Sequence, residues 1–291
     1  MVADLSERVL HAWVTLVIGD SDTGKTTLVR DLANALVARG LTIAVVDADL
    51  GQSEIGPPTT IGLGRVAAPI TRLADAEVLA LRFVGVTSAA RDPLATVAAT
   101  RRLVDRARRA GLDRVIVDTC GLVRGELGRR LKQATIEALD PDLVIALERD
   151  AECEAIVAAY RGLSRPEIVR LAARAPARGR SADVRRRHRE RALAAHFAGA
   201  RSLTFDLSRI VLRSPAPSTD EAPDVSGLEG LLAGLFDADG ETLGLGIVRE
   251  IDLAAGTVRV DTAVAEARPA SIAIGHERYA GPDDAASRLT R

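Results

Sequence analysis

Lysine is nearly missing from this 291-residue chain: only Lys25 and Lys132 among its 39 basic residues are lysines, leaving 37 arginines. A lysine that persists against such a background marks a position worth explaining. Aromatic side chains are as scarce, seven in all (Trp13, Phe83, Tyr160, Phe197, Phe205, Phe236 and Tyr279). The core must therefore be built from Ala, Leu, Val and Ile, and a broad base-stacking surface is excluded. Two cysteines, Cys120 and Cys153, form neither a disulfide framework nor a four-cysteine zinc site, and His11, His188, His196 and His276 are too scattered to add one. Side-chain amides are confined to Asn34, Gln52 and Gln133, which fits a heat-adapted source or codon bias equally. Net charge is also lacking, at −1, so the chain does not coat nucleic acid or membrane by bulk charge and any basic surface must be local. No apolar run approaches a membrane span, and the first nine residues carry Asp4, Glu7 and Arg8 instead of a basic start and an apolar stretch. The expected location is cytoplasmic.

What is present is a soluble globular composition, 47% hydrophobic and 27% charged. The apolar run Val14 to Ile18 meets a glycine-containing loop, then Leu28, Leu32, Ala35 and Leu36 recur at helical spacing before Gly40. Further strands are expected near Leu41 to Val46, Leu81 to Val86, Arg114 to Val117 and Leu143 to Leu147, with helices between them. One helix opens on Asp92 and Pro93, a cap followed by proline at the first helical position. This alternation predicts an α/β fold, a parallel sheet covered by helices on both faces. From Arg174 to Arg191 eight arginines face only Asp183 and Glu190, and a charged helix is expected from about Asp183 to Phe197. Residues 214–224, rich in Pro, Ser and acid, read as a linker to a small β-rich domain over 225–291, and residues 1–213 as the main domain with an arginine-rich lid at about 174–198.

The strongest chemical signal is Gly19-Asp20-Ser21-Asp22-Thr23-Gly24-Lys25-Thr26, a full P-loop pattern between a predicted strand and a predicted helix. The glycines let successive N–H groups turn toward phosphate oxygens, the helix amino terminus adds its positive end, and the lysine reaches the β/γ-phosphates. Gly19 to Thr26, with Thr27, are thus the expected nucleotide-binding residues, and Lys25 stands where a compact point charge is required. Asp118 ends the apolar run Val115-Ile116-Val117 and reads as the acid that, with Thr26, holds Mg. Asp47 and Asp49 end another strand. Asp49 is the preferred base for an attacking hydroxyl and a further metal candidate, and Asp47 remains the alternative base. Asp20 and Asp22 would repel ATP and are expected to point away from the phosphates or toward the acceptor side. Cys120 reads as a packing residue.

The segment Val46 to Thr60, containing Asp47-Ala48-Asp49-Leu50-Gly51-Gln52, resembles the polynucleotide 5′-hydroxyl kinase family, the P-loop RNA kinases related to an mRNA cleavage and polyadenylation subunit and to a pre-ribosomal RNA processing kinase; the archaeal and bacterial members look closest. The acidic P-loop, Asp118-Thr119-Cys120-Gly121 followed by Gly125, Leu131 and Lys132, and Arg180-Ser181 leading to Arg185, Arg189 and Phe197 carry the resemblance onward, over about Val14 to Leu212. It implies transfer of the γ-phosphate of ATP to the 5′-hydroxyl of RNA, with GTP and DNA left open. It also implies that Arg185 and Arg189, four apart on one helical face, close over the phosphates, and that Gln52, Thr59 and Thr60 shape the acceptor site. The alternative is a non-catalytic ATP-binding scaffold of an RNA-processing complex. A GTPase is disfavoured because Leu147-Glu148-Arg149-Asp150 lacks the guanine-reading lysine, and a partitioning-type ATPase because Asp20 stands where its second lysine would be.

Overall fold

The computed structural model describes residues 2–173, 181–213, 225, 227–264 and 268–279. After a first helix, α1 (Val2–His11), the chain builds β1 (Val14–Ile18), α2 (Lys25–Val37), β2 (Ile43–Ala48), β3 (Thr60–Val66), β4 (Glu77–Phe83), α3 (Pro93–Arg109), β5 (Arg114–Thr119), α4 (Gly125–Leu139), β6 (Leu143–Glu148), the short α5 (Glu154–Val157) and β7 (Glu167–Ala172). These strands form one seven-stranded sheet in the order β4-β3-β2-β5-β1-β6-β7. The central strands are apolar along their whole length because helices cover both faces: Val14, Leu16, Val17 and Ile18 of β1 are all buried. The Asp92 carboxylate accepts from Ala95 N at 2.9 Å and caps α3 at Pro93, as its sequence signature requires.

The sheet is mixed and not wholly parallel as expected. Strands β2, β5, β1, β6 and β7 run parallel, whereas β3 pairs antiparallel with β2 and β4 antiparallel with β3. In β3, Gly62 and Gly64 interrupt the apolar run, which hid the strand from periodicity. Two parallel neighbours matter most for the site. Pairing of β2 with β5 places Asp47 opposite Asp118, and β5 lies between β2 and β1.

A charged helix, α6 (Ala182–His196), precedes β8 (Arg201–Asp206), β9 (Val211–Arg213), β10 (Leu231–Phe236), β11 (Thr242–Asp252), β12 (Thr257–Thr262) and β13 (Ser271–Arg278). These six strands form a second sheet in the order β8-β12-β11-β10-β13-β9. It begins earlier than the expected boundary at residue 213, since β8 and β9 both hydrogen-bond into it. The expected linker, 214–224, and the first part of the expected lid, 174–180, lie outside the described residues. The sheets meet closely. His276 N donates to Gly85 O at 2.8 Å, and a Cβ added to Gly85 would lie 2.8 Å from Gly275 Cα. Leu193 and Phe197, at the end of α6, pack among Leu232, Leu245, Ile247 and Tyr279, with Phe197 stacked on Tyr279 at 5.8 Å. The second sheet therefore roots the helix that carries Arg185 and Arg189.

Candidate active site

At the carboxyl ends of β1, β2 and β5 lies a cavity of about 460 Å³. Open α/β sheets put ligands at this edge, where strand ends and helix amino termini leave main-chain groups unpaired. Ser21, Asp22, Gly24, Lys25, Thr26 and Thr27 form its floor, and Gly24 takes the left-handed conformation (φ 93°) that turns the loop into α2. Lys25 is 7% exposed and its Nζ donates to Asp20 O at 2.8 Å. Burial lowers its pKa, against the opposing pull of Asp118. Gly19, Asp20 and Thr23, expected among the nucleotide-binding residues, do not line the cavity, and Thr23 Oγ1 instead donates to Asp20 O at 2.9 Å within the loop.

Both loop aspartates are turned to arginines. Arg124 Nε donates to Asp20 Oδ2 at 2.6 Å, and although burial pushes the Asp20 carboxyl up, the Arg124 bond and the Ser21 N–H bring it below the usual carboxylate range. Arg185 of α6 donates to Asp22 Oδ2 at 2.9 Å, and Arg149, just after β6, donates to the carbonyls of Ser21 and Asp22. The repulsion that Asp20 and Asp22 would exert on a triphosphate is thus offset locally.

The carboxylates of β2 and β5 divide into two kinds. Asp47, 2% exposed, accepts from Glu54 N (2.6 Å), Ile55 N (3.0 Å), Asp49 N (3.1 Å) and Ser53 Oγ (3.2 Å). It ties down the loop after β2 and does not line the cavity, so it is not placed to act as the alternative base. Asp49 does line the cavity, its Oδ1 fixed by the N–H groups of Gly51 and Gln52 at 3.0 Å each. Asp118 accepts from Thr26 Oγ1 at 2.6 Å, while its Oδ1 is buried without a partner. An orphaned carboxylate oxygen beside a threonine hydroxyl fits a hard divalent cation. Burial pushes Asp118 up to about 6, with Lys25 pulling it down, and pushes Asp47 up to about 7, with the Asp118 charge adding to the rise.

Arg185 and Arg189 face the same cavity, one turn apart on α6. Gln52 lines it and touches the lid, Nε2 lying 3.5 Å from Arg185 O. Thr59 and Thr60 do not: both are fully buried, and Thr60 Oγ1 donates to Pro57 O at 2.7 Å, within the turn that leads into β3. Sequence reasoning overlooked Glu54, Thr87, Ser88 and Gly121, which also line the cavity. Thr87 and Ser88 follow an irregular loop with no motif. The signal for Gly121 was the Asp-Thr-Cys-Gly run itself: its Cβ would fall 2.3 Å from Ser21 Oγ, so only glycine lets the chain after β5 lie against the P-loop.

Residues 19–199 match the family described as mRNA cleavage and polyadenylation factor CLP1 P-loop. The chain is 36% identical over 197 residues to a polyribonucleotide 5′-hydroxyl-kinase of Pyrococcus furiosus, covering 68% of this chain and 54% of that protein, so it spans about half that relative's length. A Pyrococcus horikoshii protein of the same description is 29% identical over 297 residues, covering 86% of this chain and 81% of its own. Among solved structures, wild-type Clp1p in complex with Pcf11p superposes with a TM-score of 0.73 at 14% identity, over 96% of this chain and 79% of that one, which shows a shared fold.

Proposed function

The chain belongs to the CLP1 P-loop family, and from that premise we propose that it is an ATP-dependent polynucleotide kinase that phosphorylates the 5′-hydroxyl of RNA. The relatives described as polyribonucleotide 5′-hydroxyl-kinases support the substrate class. The observation that carries the reading is convergence: Lys25, Asp49, Arg185 and Arg189 come from three separate parts of the chain and line one cavity.

Each residue then has a chemical task. Lys25 and the loop N–H groups hold the phosphates of ATP. Thr26 and Asp118 would hold Mg, with Asp49 close by, and the ion would neutralise phosphate charge. Asp49, oriented by Gly51 and Gln52, takes the proton of the 5′-hydroxyl through the oxygen not engaged by those amides. The Arg185 and Arg189 guanidiniums stabilise charge on the transferring phosphoryl group, with Arg185 released from Asp22 to do so. Gln52, Glu54, Thr87 and Ser88 form the acceptor wall, rich in hydroxyl, amide and carboxylate groups that suit a neutral hydroxyl end. A scaffold that only binds ATP has no use for a carboxylate and two arginines aimed at the same space.

Incubation with 5′-hydroxyl RNA and γ-labelled ATP tests the proposal, and transfer of label to the RNA 5′ end is expected. Parallel reactions with GTP and with 5′-hydroxyl DNA define donor and acceptor preference. Absence of transfer to either polymer while nucleotide binds normally would overturn the kinase reading in favour of the scaffold.

A further inference from the structure

The second lysine of the chain, Lys132, is 1% exposed on α4 and among the most buried large side chains of the protein. Its Nζ donates to Cys120 O at 2.7 Å and lies 3.6 Å from Cys120 Sγ; among the described residues no carboxylate pairs with it. A buried ammonium with only neutral partners is costly, and methionine or leucine would fill the same space without that cost. The position therefore calls for an anion nearby. A nucleotide in the cavity would supply one, since Cys120 and Gly121 form part of its wall.

Geometry links the ammonium to the cavity through one peptide unit. In a trans peptide the C=O and N–H point in opposite directions, so a cation on Cys120 O leaves the Gly121 N–H directed away from Lys132. Among the described residues no acceptor takes that N–H. The peptide follows β5, the strand between β1, which leads into the P-loop, and β2, which leads to Asp49. It thus lies between the strand that leads to the P-loop and the strand that leads to Asp49, with Gly121 packed against Ser21 of the P-loop.

We propose that Lys132 is a positioning residue of the phosphate site: by binding Cys120 O it fixes and polarises the Cys120–Gly121 peptide, so that the Gly121 N–H donates to the terminal phosphate of a nucleoside triphosphate. A charged donor on the carbonyl strengthens the N–H at the other end of the same peptide, and the buried charge adds to the potential felt by the phosphate. The inference rests on the cavity being the ATP site but not on the identity of the acceptor.

The test is differential affinity, measured by calorimetry without RNA, for ADP and for a non-hydrolysable ATP analogue. Lys132→Met is expected to weaken analogue binding about tenfold while leaving ADP binding within about twofold, and Lys132→Gln, which keeps a neutral donor, is expected to fall between. In the unaltered protein, hydrogen exchange of the Gly121 amide should slow with the analogue and not with ADP, a readout that needs no variant to fold. An analogue-to-ADP affinity ratio equal to wild type in a variant that keeps the wild-type melting transition, or Gly121 exchange indifferent to the γ-phosphate, would refute the proposal. Neither result depends on whether RNA is phosphorylated, so failure here and failure of the kinase reading are separable.

Discussion

The floor of the cavity and its lid are built by opposite means. In and beneath the floor, the charged groups are buried and bonded to the sheet and its loops: Asp47 to four donors, Asp118 to Thr26, Lys25 to a carbonyl. The lid helix is highly charged, buries Leu193 within its length and Phe197 at its end, and reaches the floor through the Arg185–Asp22 ion pair, both of whose side chains are partly exposed. Positions that must be accurate before substrate arrives are fixed by burial. On the proposed reading Arg185 exchanges Asp22 for phosphate, and the ion pair it would leave is worth little by itself.

Variants of the arginine helix and of the floor are expected to fail differently. The largest effect is expected from removing both lid arginines: Arg185→Ala with Arg189→Ala should lower kcat by about 10³-fold or more, with the melting transition unchanged. Asp49→Asn should follow, at about 10²- to 10⁴-fold in kcat with ATP affinity retained in calorimetry; unchanged turnover would remove Asp49 as the base. Asp22→Asn frees Arg185 before nucleotide binds. A modest gain in ATP affinity, about two- to fivefold, is expected, and weaker binding would show that the ion pair organises the loop and does not merely park the arginine.

The smallest effect is thermodynamic and belongs to the carboxylate buried beneath the floor. Asp47 has a folded pKa raised from 3.8 to about 7, by burial first and then by Asp118. Between those values the folded protein keeps a proton that the unfolded chain loses, so this group costs stability progressively as pH rises from about 4 to about 7. The melting temperature of Asp47→Asn relative to wild type should accordingly rise by a few degrees between pH 5 and about 8. A difference independent of pH would mean that Asp47 is ionised in the fold throughout.

Much of this was legible in the sequence, for identifiable reasons. The P-loop declares itself because phosphate chemistry fixes residue types at fixed spacing, and Asp118 because a carboxylate at the end of Val115-Ile116-Val117 has few other uses. Local pattern ran out where contacts are between distant segments. The roles of Asp47 and Asp49, two residues apart, separate only when the loop folds back on Asp47. Thr59 and Thr60 looked like acceptor residues from their neighbourhood in sequence, but the antiparallel turn into β3 buries them. The second sheet was placed too late in the chain because β8 and β9 sit next to the lid helix in sequence and next to β12 and β13 in space.

One joint in the fold limits how such a protein can change. Where Gly85 meets Gly275 the two backbones approach so closely that a methyl group on either would collide with the other. A substitution at one glycine cannot be relieved by trimming a side chain opposite, because there is none to trim. The two sheets are therefore bound into a shared inheritance at that point. Grafting the second sheet of a distant relative onto this core should succeed only if the donor also carries a glycine at the seam.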